Sequence, residues 1–399
     1  MTDDDMTALR LIDDWAFATT SSDRRWSAGS GVLERPRQTG AFAGDELVGH
    51  TGAFTMELTV PGGSVPAAGV TWVMVAPWQR RRGVLTTMMR HQLDGLKEAG
   101  EPVAALWASE AGIYGRFGYG LSSHLVSANV PRGTRLGGLP STDLAVSLLA
   151  GAEALPACRA LYERVRLDRP GMVTRSDELW QENLFDDPDT RAGSSAVRCA
   201  VARGPEGQPS GYAFFRTKPD WETGSPNGTV EVREILAHTP RAARALLDVL
   251  LDLDLMTTTS FWNLPIDHPL LTWAEQGHRL RPTTMDQLWV RLVRLDEALA
   301  ARRYSAPLEI VLDVTDKHCP WNAGRWRLSA DIDGSSLVRT HESADVLLDV
   351  SLLAAAYLGE DNLGRAHQAG LLDEATPGSV SRLARALRGD KAPWCAYMF

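Results

Sequence analysis

The chain reads as a multi-domain α/β protein, α+β in its last third, and three observations carry that reading. Its 399 residues, at about 150 per domain, fit two or three domains. Twice, apolar alternation at strand period gives way to apolar recurrence at helix period and back, the pattern of a strand–helix–strand unit. Turn-forming residues sit where the period changes, as at Pro61-Gly62-Gly63 and Pro77. With 44% hydrophobic and 23% charged residues, the chain can bury sizeable cores, which excludes wholesale disorder.

Residues 8–19 place Leu9, Ile12, Trp15 and Ala16 near helical spacing and predict an N-terminal helix. Gly44-Asp45 opens a strand over 46–60, where Phe54, Met56, Leu58 and Val60 alternate with mostly polar neighbours. Pro61-Gly62-Gly63 turns the chain, and the β-branched run at 70–75 predicts a second strand antiparallel to the first. Pro77 stops it. From Val84 the period changes: Val84, Leu85, Met88, Met89, Gln92, Leu93 and Leu96 recur at three and four, and Gly100 and Pro102 end this helix. The next strand spans 103–108, so it and 70–75 are expected in one sheet as a βαβ unit.

The stretch 131–140 has linker composition and marks a domain boundary. Beyond it come a helix over 157–166 with Pro156 in its first turn, strands at 211–217 and 229–236, a helix from Pro240 to residue 253, and a strand at 261–264. A third segment begins near Leu292. Strands at 308–314 and 325–331, an apolar helix-like run at 346–357 and a helix at 381–387 predict a small α+β domain.

A net charge of −9 argues against nucleic acid as the partner, because phosphate binding needs a basic field. It suits a cationic substrate drawn to an acidic cleft. Cys158, Cys199, Cys319 and Cys395 are scattered without CxxC spacing, which predicts reduced thiols in the cytoplasm and no zinc ribbon. The opening Met-Thr-Asp-Asp-Asp is no secretory signal, and no apolar stretch is long enough to span a membrane. His50, His91 and His124 form no spaced set, so no metal is expected. The acidic runs Asp186-Asp187-Pro188-Asp189 and Asp252/Asp254 match no calcium loop and read as solvated surface.

The most informative window runs from Val73 to Leu85. It is a strand, a short loop holding Arg80-Arg81-Arg82-Gly83, and a helix N-terminus. The first helical turn leaves N–H groups unpaired at the positive end of the macrodipole, a place that binds phosphate. Gly83 allows close approach, and the arginines offer forked donors. A solvated basic turn has the same composition, and the loop lacks both a Walker lysine and a three-glycine dinucleotide fingerprint.

Val-x-Pro-x-x-Arg-Arg-Arg-Gly-Val resembles the acetyl-CoA loop of the GNAT superfamily of N-acetyltransferases, whose signature is Gln/Arg-x-x-Gly-x-Gly/Ala. The chain departs at its last position, Leu85, as one branch does, the Eis (enhanced intracellular survival) family. A second window, Ala108-Ser109-Glu110-Ala111-Gly112-Ile113-Tyr114-Gly115-Arg116-Phe117-Gly118-Tyr119-Gly120, resembles that family nearly residue for residue. The likeness is strongest over 69–120. It implies tandem GNAT-type acetyltransferase regions followed by a sterol-carrier-like α+β domain. On that plan residues 1–138 bind acetyl-CoA, 139–291 form a second acetyltransferase-like domain without cofactor, and 292–399 supply the C-terminal carboxylate. The resemblance further implies acetylation of aminoglycoside- or polyamine-type amines at several positions, and a homohexamer. It assigns the general acid to Tyr114 and the general base to the α-carboxylate of Phe399. It maps cofactor contacts to Val73, Met74 and Val75, to Arg81, Arg82, Gly83, Val84, Leu85 and Thr86, and to Ser109 and Glu110.

The chemistry is coherent on its own terms. Amine attack on a thioester needs a neutral amine, a polarised carbonyl and a proton for the leaving thiolate. A tyrosine hydroxyl can serve the thiolate, a carboxylate can take the ammonium proton, and N–H groups around Val75 can bond the thioester oxygen. Tyr119 is the rival to Tyr114 for the acid. Tyr114 could instead pack over the glycine-rich turn, and Phe399 could be an inert chain end. The apolar run before it, 393–398, predicts a docked tail. Trp15, Trp26 and Trp72 are candidates for an aromatic substrate wall, and Asp14, Asp23 and Glu34 for its charge. Core tryptophans and surface acids are the alternative. Trp107 stands where the family has a histidine, and Met398 where it has an acid; both alter the pocket. Three other functions remain open: a lipid- or sterol-binding protein with a vestigial transferase, a tRNA-dependent aminoacyl transferase, and a protein lysine acetyltransferase.

Overall fold

The computed structural model describes residues 3–140, 144–331, 334–360 and 362–399. They fall into two compact units, one of Met1–Ser123, Pro170–Glu182 and Gln287–Phe399, the other of His124–Arg169 and Asn183–Asp286.

The first unit opens with helices α1 (Asp3–Ala16) and α2 (Asp23–Gly31), then strands β1 (Gln38–Ala43), β2 (Glu46–Val60) and β3 (Gly63–Val75). Helix α3 (Val84–Glu98), strand β4 (Val103–Trp107) and the short β5 (Tyr119–Leu121) follow. The hairpin forms at Pro61-Gly62-Gly63 as the turn residues dictate, with β2 antiparallel to β3. β3 and β4 run parallel around α3, the expected βαβ unit. Helix α3 buries Met88, Met89, Leu93 and Leu96 on its apolar stripe. It ends at Gly100, whose φ of +74° lets Gly100 N bond Lys97 O and Glu101 N bond Leu96 O, a Schellman closure.

One strand of this sheet is remote in sequence. Leu288–Leu292 lies between β4 and β5, antiparallel to both. Its register is anchored by Arg291, which is fully buried and whose Nη2 donates to both oxygens of Asp316, each at 2.7 Å. Asn322 also donates to that carboxylate at 3.1 Å. Breaking so buried a pair from one side costs about 3–5 kcal/mol. β5 packs on the helix Val350–Ala356 with no room to spare: a Cβ at Gly120 would lie 2.1 Å from Ser351 O.

A five-stranded sheet completes the unit, ordered Ser335–Arg339, Gly324–Ala330, Leu308–Thr315, Val346–Asp349, Asp373–Glu374. The apolar run expected to be helical from 346 is a strand to Asp349, parallel to Leu308–Thr315, and only then a helix. A short apolar run looks alike in both periods; the switch is set by Asp349, whose side chain caps the helix by accepting from Ser351 N at 3.0 Å.

The second unit is built on a seven-stranded sheet ordered Thr283–Asp286, His124–Pro131, Met256–Pro265, Gly228–Ala237, Pro209–Lys218, Arg198–Arg203, Val146–Ala150. Its βαβ core is parallel, with helix Pro240–Leu251 capped by Thr239. The linker-like stretch 131–140 follows the strand His124–Pro131 within this unit, up to the last described residue before 141. The helix expected at 157–166 begins earlier, at Gly151, and carries Pro156 inside it. Proline costs that helix one N–H without stopping it, because Ala154, Cys158, Leu161 and Tyr162 bury its apolar face. Among the described residues no helix is long and apolar enough to cross a membrane.

His268 caps the helix Pro269–Trp273 by accepting from Leu270 N at 3.2 Å through Nδ1. That bond requires neutral imidazole, and burial, with Arg169 nearby, pushes the ring down to about 4. A depressed histidine stabilises the fold fully above its unfolded pKa near 6.5 and loses that contribution as pH falls toward 4. Chemical unfolding across this window should show about 3 kcal/mol of acid-dependent loss from this residue. His268→Asn, which keeps a capping oxygen but cannot titrate there, should flatten that part of the profile.

Candidate active site

The site begins with a parting of strands. β3 and β4 pair only where Ala67, Ala68 and Gly69 face Val103, Ala104 and Ala105. Beyond Gly69, β3 stays on β2 alone. Ala76 N bonds back to Val48 O at 2.9 Å, so by strand alternation the N–H of Val75 points the other way, into the cleft.

A bulge bends β3 at this point. Trp72 and Val73 together oppose Thr51, and Trp72 adopts φ +51°, a left-handed conformation that a bulky residue rarely holds. Two contacts hold it. Buried His50 presents Nδ1 2.9 Å from the Trp72 carbonyl; burial lowers its pKa, so the ring is neutral and Nδ1–H is the donor. Gln92 on α3 donates to Thr51 Oγ1 at 3.0 Å and to Gly52 O at 3.3 Å. The Trp72 ring meets Trp26 at 5.3 Å and lies over Gly29, where a Cβ would come within 3.3 Å of it.

On one side of the parted strands lies a cavity of about 500 Å³. Its wall contains Val73, Met74, Val75, Arg81, Gly83, Val84, Leu85, Thr86, Ser109 and Glu110, all singled out in the sequence, and Arg80 besides. Arg82 is not part of it. Arg81 at φ +64° and Gly83 at φ +83° turn the loop into α3, and no side chain caps the helix. The open N–H groups and macrodipole therefore face the cavity. Nothing lies within 4 Å of where a Gly83 Cβ would be. Arg80, Arg81 and Arg82 make no ion pair with the described residues.

On the other side is a cavity of about 350 Å³, with Trp72, Trp107, Tyr397, Met398 and Phe399 in its wall. Tyr114, Val73 and Ser109 belong to both walls. Tyr114 ends a single helical turn, Ala111–Tyr114, and its ring meets Tyr119 edge-on at 5.8 Å. Burial, and next the charge of Glu110, push its hydroxyl up to about 12. Tyr119 lines neither cavity and is fully buried.

The last residues are docked, as their apolar composition predicts. Trp394 N bonds Pro170 O at 2.9 Å. The Gln287 side chain bonds both backbone groups of Cys395, each at 2.9 Å, as a neighbouring strand would. Trp107 Nε1 donates to Tyr397 O at 3.1 Å, and Arg175 lies 4.8 Å over the Tyr397 ring. Met56 Sδ and the Phe399 ring share the space above Gly69, 2.6 and 3.3 Å from where a Cβ would be. The segment Pro170–Glu182 makes this berth: Gly171 N, Met172 O and Thr174 N bond the backbone of β2, and Gly171 is pressed on Trp394.

Among the substrate-wall candidates, Trp72 lines the smaller cavity and Trp26 supports it, while Trp15 is exposed outside it. Asp14 accepts from Ser21 N, Asp23 pairs with Arg10, and Glu34 holds Thr55; none lines the cavity. The acids that do are Asp13 and Glu182. Burial and then Asp14 push Asp13 up to about 6, and Glu182 pairs with Arg25 at 2.6 Å. The helical turn selects Asp13 over its neighbour, and no local pattern could have announced Glu182. No cluster of three metal-ligating side chains occurs among the described residues. The four cysteines are free and buried.

Models of the acetyltransferase (GNAT) domain match residues 1–122 and 171–295, and a sterol carrier protein domain matches 295–396. An uncharacterized N-acetyltransferase of Streptomyces avermitilis is 44% identical over 372 residues, 92% of this chain and 90% of its own. The N-acetyltransferase Eis of Mycobacterium tuberculosis is 33% identical over 383 residues, 90% of this chain and 88% of its own. The crystal structure of Eis1 from Mycobacterium abscessus superposes with TM-score 0.84 at 31% identity, covering 100% of this chain and 98% of that one. A GCN5-related N-acetyltransferase from Anabaena variabilis shares the fold with TM-score 0.85 at 19% identity. Two GNAT domains, a sterol-carrier domain and likeness over nearly the whole length make this chain a member of the Eis family of N-acetyltransferases.

Proposed function

We propose that this acetyltransferase moves the acetyl group of acetyl-CoA onto a primary amine of a cationic small molecule in the cytoplasm, aminoglycosides and polyamines being the acceptor types that its resemblance to the family suggests. The observation that carries this reading is Tyr114, which stands in the walls of both cavities, one beside the α3 N-terminus and one beside Phe399. Residues 1–138 would bind acetyl-CoA, 139–291 would serve as a scaffold without cofactor, and 292–399 would deliver the terminal carboxylate. The assembly is a homohexamer on this reading, so light scattering should give a mass near six times 43.5 kDa.

Acetyl-CoA supplies the thioester and a thiol leaving group. The unpaired N–H groups from Gly83 to Thr86, with Arg80 and Arg81, would hold its pyrophosphate. The Val75 N–H faces the cleft where charge develops on the thioester oxygen. In the smaller cavity, apolar walls lower an ammonium's pKa, and the Phe399 α-carboxylate takes its proton directly or through water. Tyr114 stays protonated at neutral pH and donates a hydrogen bond to the sulfur as it leaves. Full proton loss from a group near 12 is unfavourable, so the thiolate takes up the second proton, shed by the amine nitrogen as the tetrahedral intermediate collapses, while the first leaves from the Phe399 carboxylate to water.

Removing one preorganised donor typically costs about 100-fold or more in kcat. Tyr114→Phe should therefore lower kcat by about that factor, with acetyl-CoA binding by calorimetry unchanged. Deletion of Phe399 should cost a similar factor, and unchanged thiol release in both folded variants would sink the assignment. Gln287→Leu should release the tail and lower kcat about tenfold. Adding the Phe399 deletion to it should then cost far less than in the parent, since residues acting as a unit are not additive.

A further inference from the structure

Resting on the amine-acceptor reading above, we infer that the preferred acceptor is a small amphiphilic amine, one cationic head on an aliphatic or aromatic body with at most one further charge. A polyhydroxylated polycation fits the cavity poorly.

The first observation is that the larger part of the wall is apolar. Phe17, Phe54, Val70, Trp72, Trp107 and Met398 all line the 350 Å³ space. Two polar groups of its aromatic lining are already engaged. The Trp107 indole N–H is bonded to Tyr397 O, and the Tyr397 hydroxyl lies 3.4 Å from Glu182. These rings therefore offer the acceptor apolar faces. A sugar ring brought here would give up water at several hydroxyls for a short set of neutral partners, the side chains of Thr71, Trp72, Ser109 and Tyr114.

The second observation is the charge balance. Glu182 is matched by Arg25 at 2.6 Å, and Arg25 itself sets a fixed cation in the wall. The lining anions not matched to a cation among the described residues are Asp13 and the terminal carboxylate. The carboxylate faces the reacting amine. That leaves Asp13, whose burial pushes it up to about 6, for one further ammonium at most. A ligand with four ammonium groups would place at least two beside apolar rings or beside Arg25. One ammonium is well served, since indole faces attract a single cation.

Met398 is the residue that sets this balance. It lies in the wall and is more than half exposed, so an acid there would add charge without disturbing a core.

The experiment is thiol release by the full-length protein with saturating acetyl-CoA and 2-phenylethylamine, hexylamine, 1,5-diaminopentane or kanamycin as acceptor. The expected result is kcat/KM for 2-phenylethylamine and hexylamine at least about tenfold above that for kanamycin. Met398→Glu should move the ratio toward kanamycin by about tenfold. Equal or better turnover of kanamycin by the parent protein would overturn the inference while leaving amine acetylation intact. A ratio unmoved by Met398→Glu would also count against it. Absence of turnover with every amine, alongside saturable acetyl-CoA binding, would sink the amine-acceptor reading and this inference with it.

Discussion

Every functional feature of the first unit depends on β3 and β4 ceasing to pair after three residues. A parallel pair that continued would satisfy the β3 backbone and close the sheet. Here the pairing stops at Gly69 and Ala105, and two cavities open along the freed edge. Unpaired strand ends inside a protein are costly unless something occupies them. The bulge at Trp72 turns the strand away, neutral His50 and Gln92 bind its backbone and that of the facing strand, and Met56 with the Phe399 ring covers Gly69. The strain of a tryptophan at φ +51° is of the kind that persists only where the surroundings over-determine it.

The second dependence is on a chain end held as firmly as a strand. The tail is bonded by Gln287, Trp107 and Pro170, and stacked by Arg175. These residues come from three separate stretches of sequence. The same stretches stiffen the sheet: Leu288–Leu292 lies beside β4, and Pro170–Glu182 runs along β2. Support for the tail and support for the cleft are thus one structure. The buried Arg291–Asp316 pair locks the strand next to Gln287 in register.

What was legible in the sequence is what is local. The hairpin, α3, the βαβ crossing and the arginine–glycine loop are each specified within about thirty residues, where periodicity and turn chemistry act directly. The loop residues and Ser109, Glu110 and Tyr114 lie in one wall because a single crossover places them at one end of the sheet. What was not legible is non-local or hangs on one competing bond. Nothing near Leu288 announces β4 as its partner, and nothing near Pro170 announces Trp394. The bulge is a matter of register between strands, which no single strand reveals. Asp13 and Asp14 are equivalent in composition, and only the helix phase separates them. The run at 346–357 splits because Asp349 caps a helix that the apolar pattern alone could not start.

The interleaved strand also governs the order in which the protein can assemble. β4 and β5 are complete by Leu121, yet the strand that fills the gap between them ends at Leu292. A ribosome adding about 5–20 residues per second takes roughly 10–30 seconds to make the intervening chain. Throughout that interval the nascent first sheet carries two open strand edges side by side, each able to pair with the wrong neighbour. The chain must protect those edges during synthesis, and polysomes crowded with such intermediates are where its misassembly would begin.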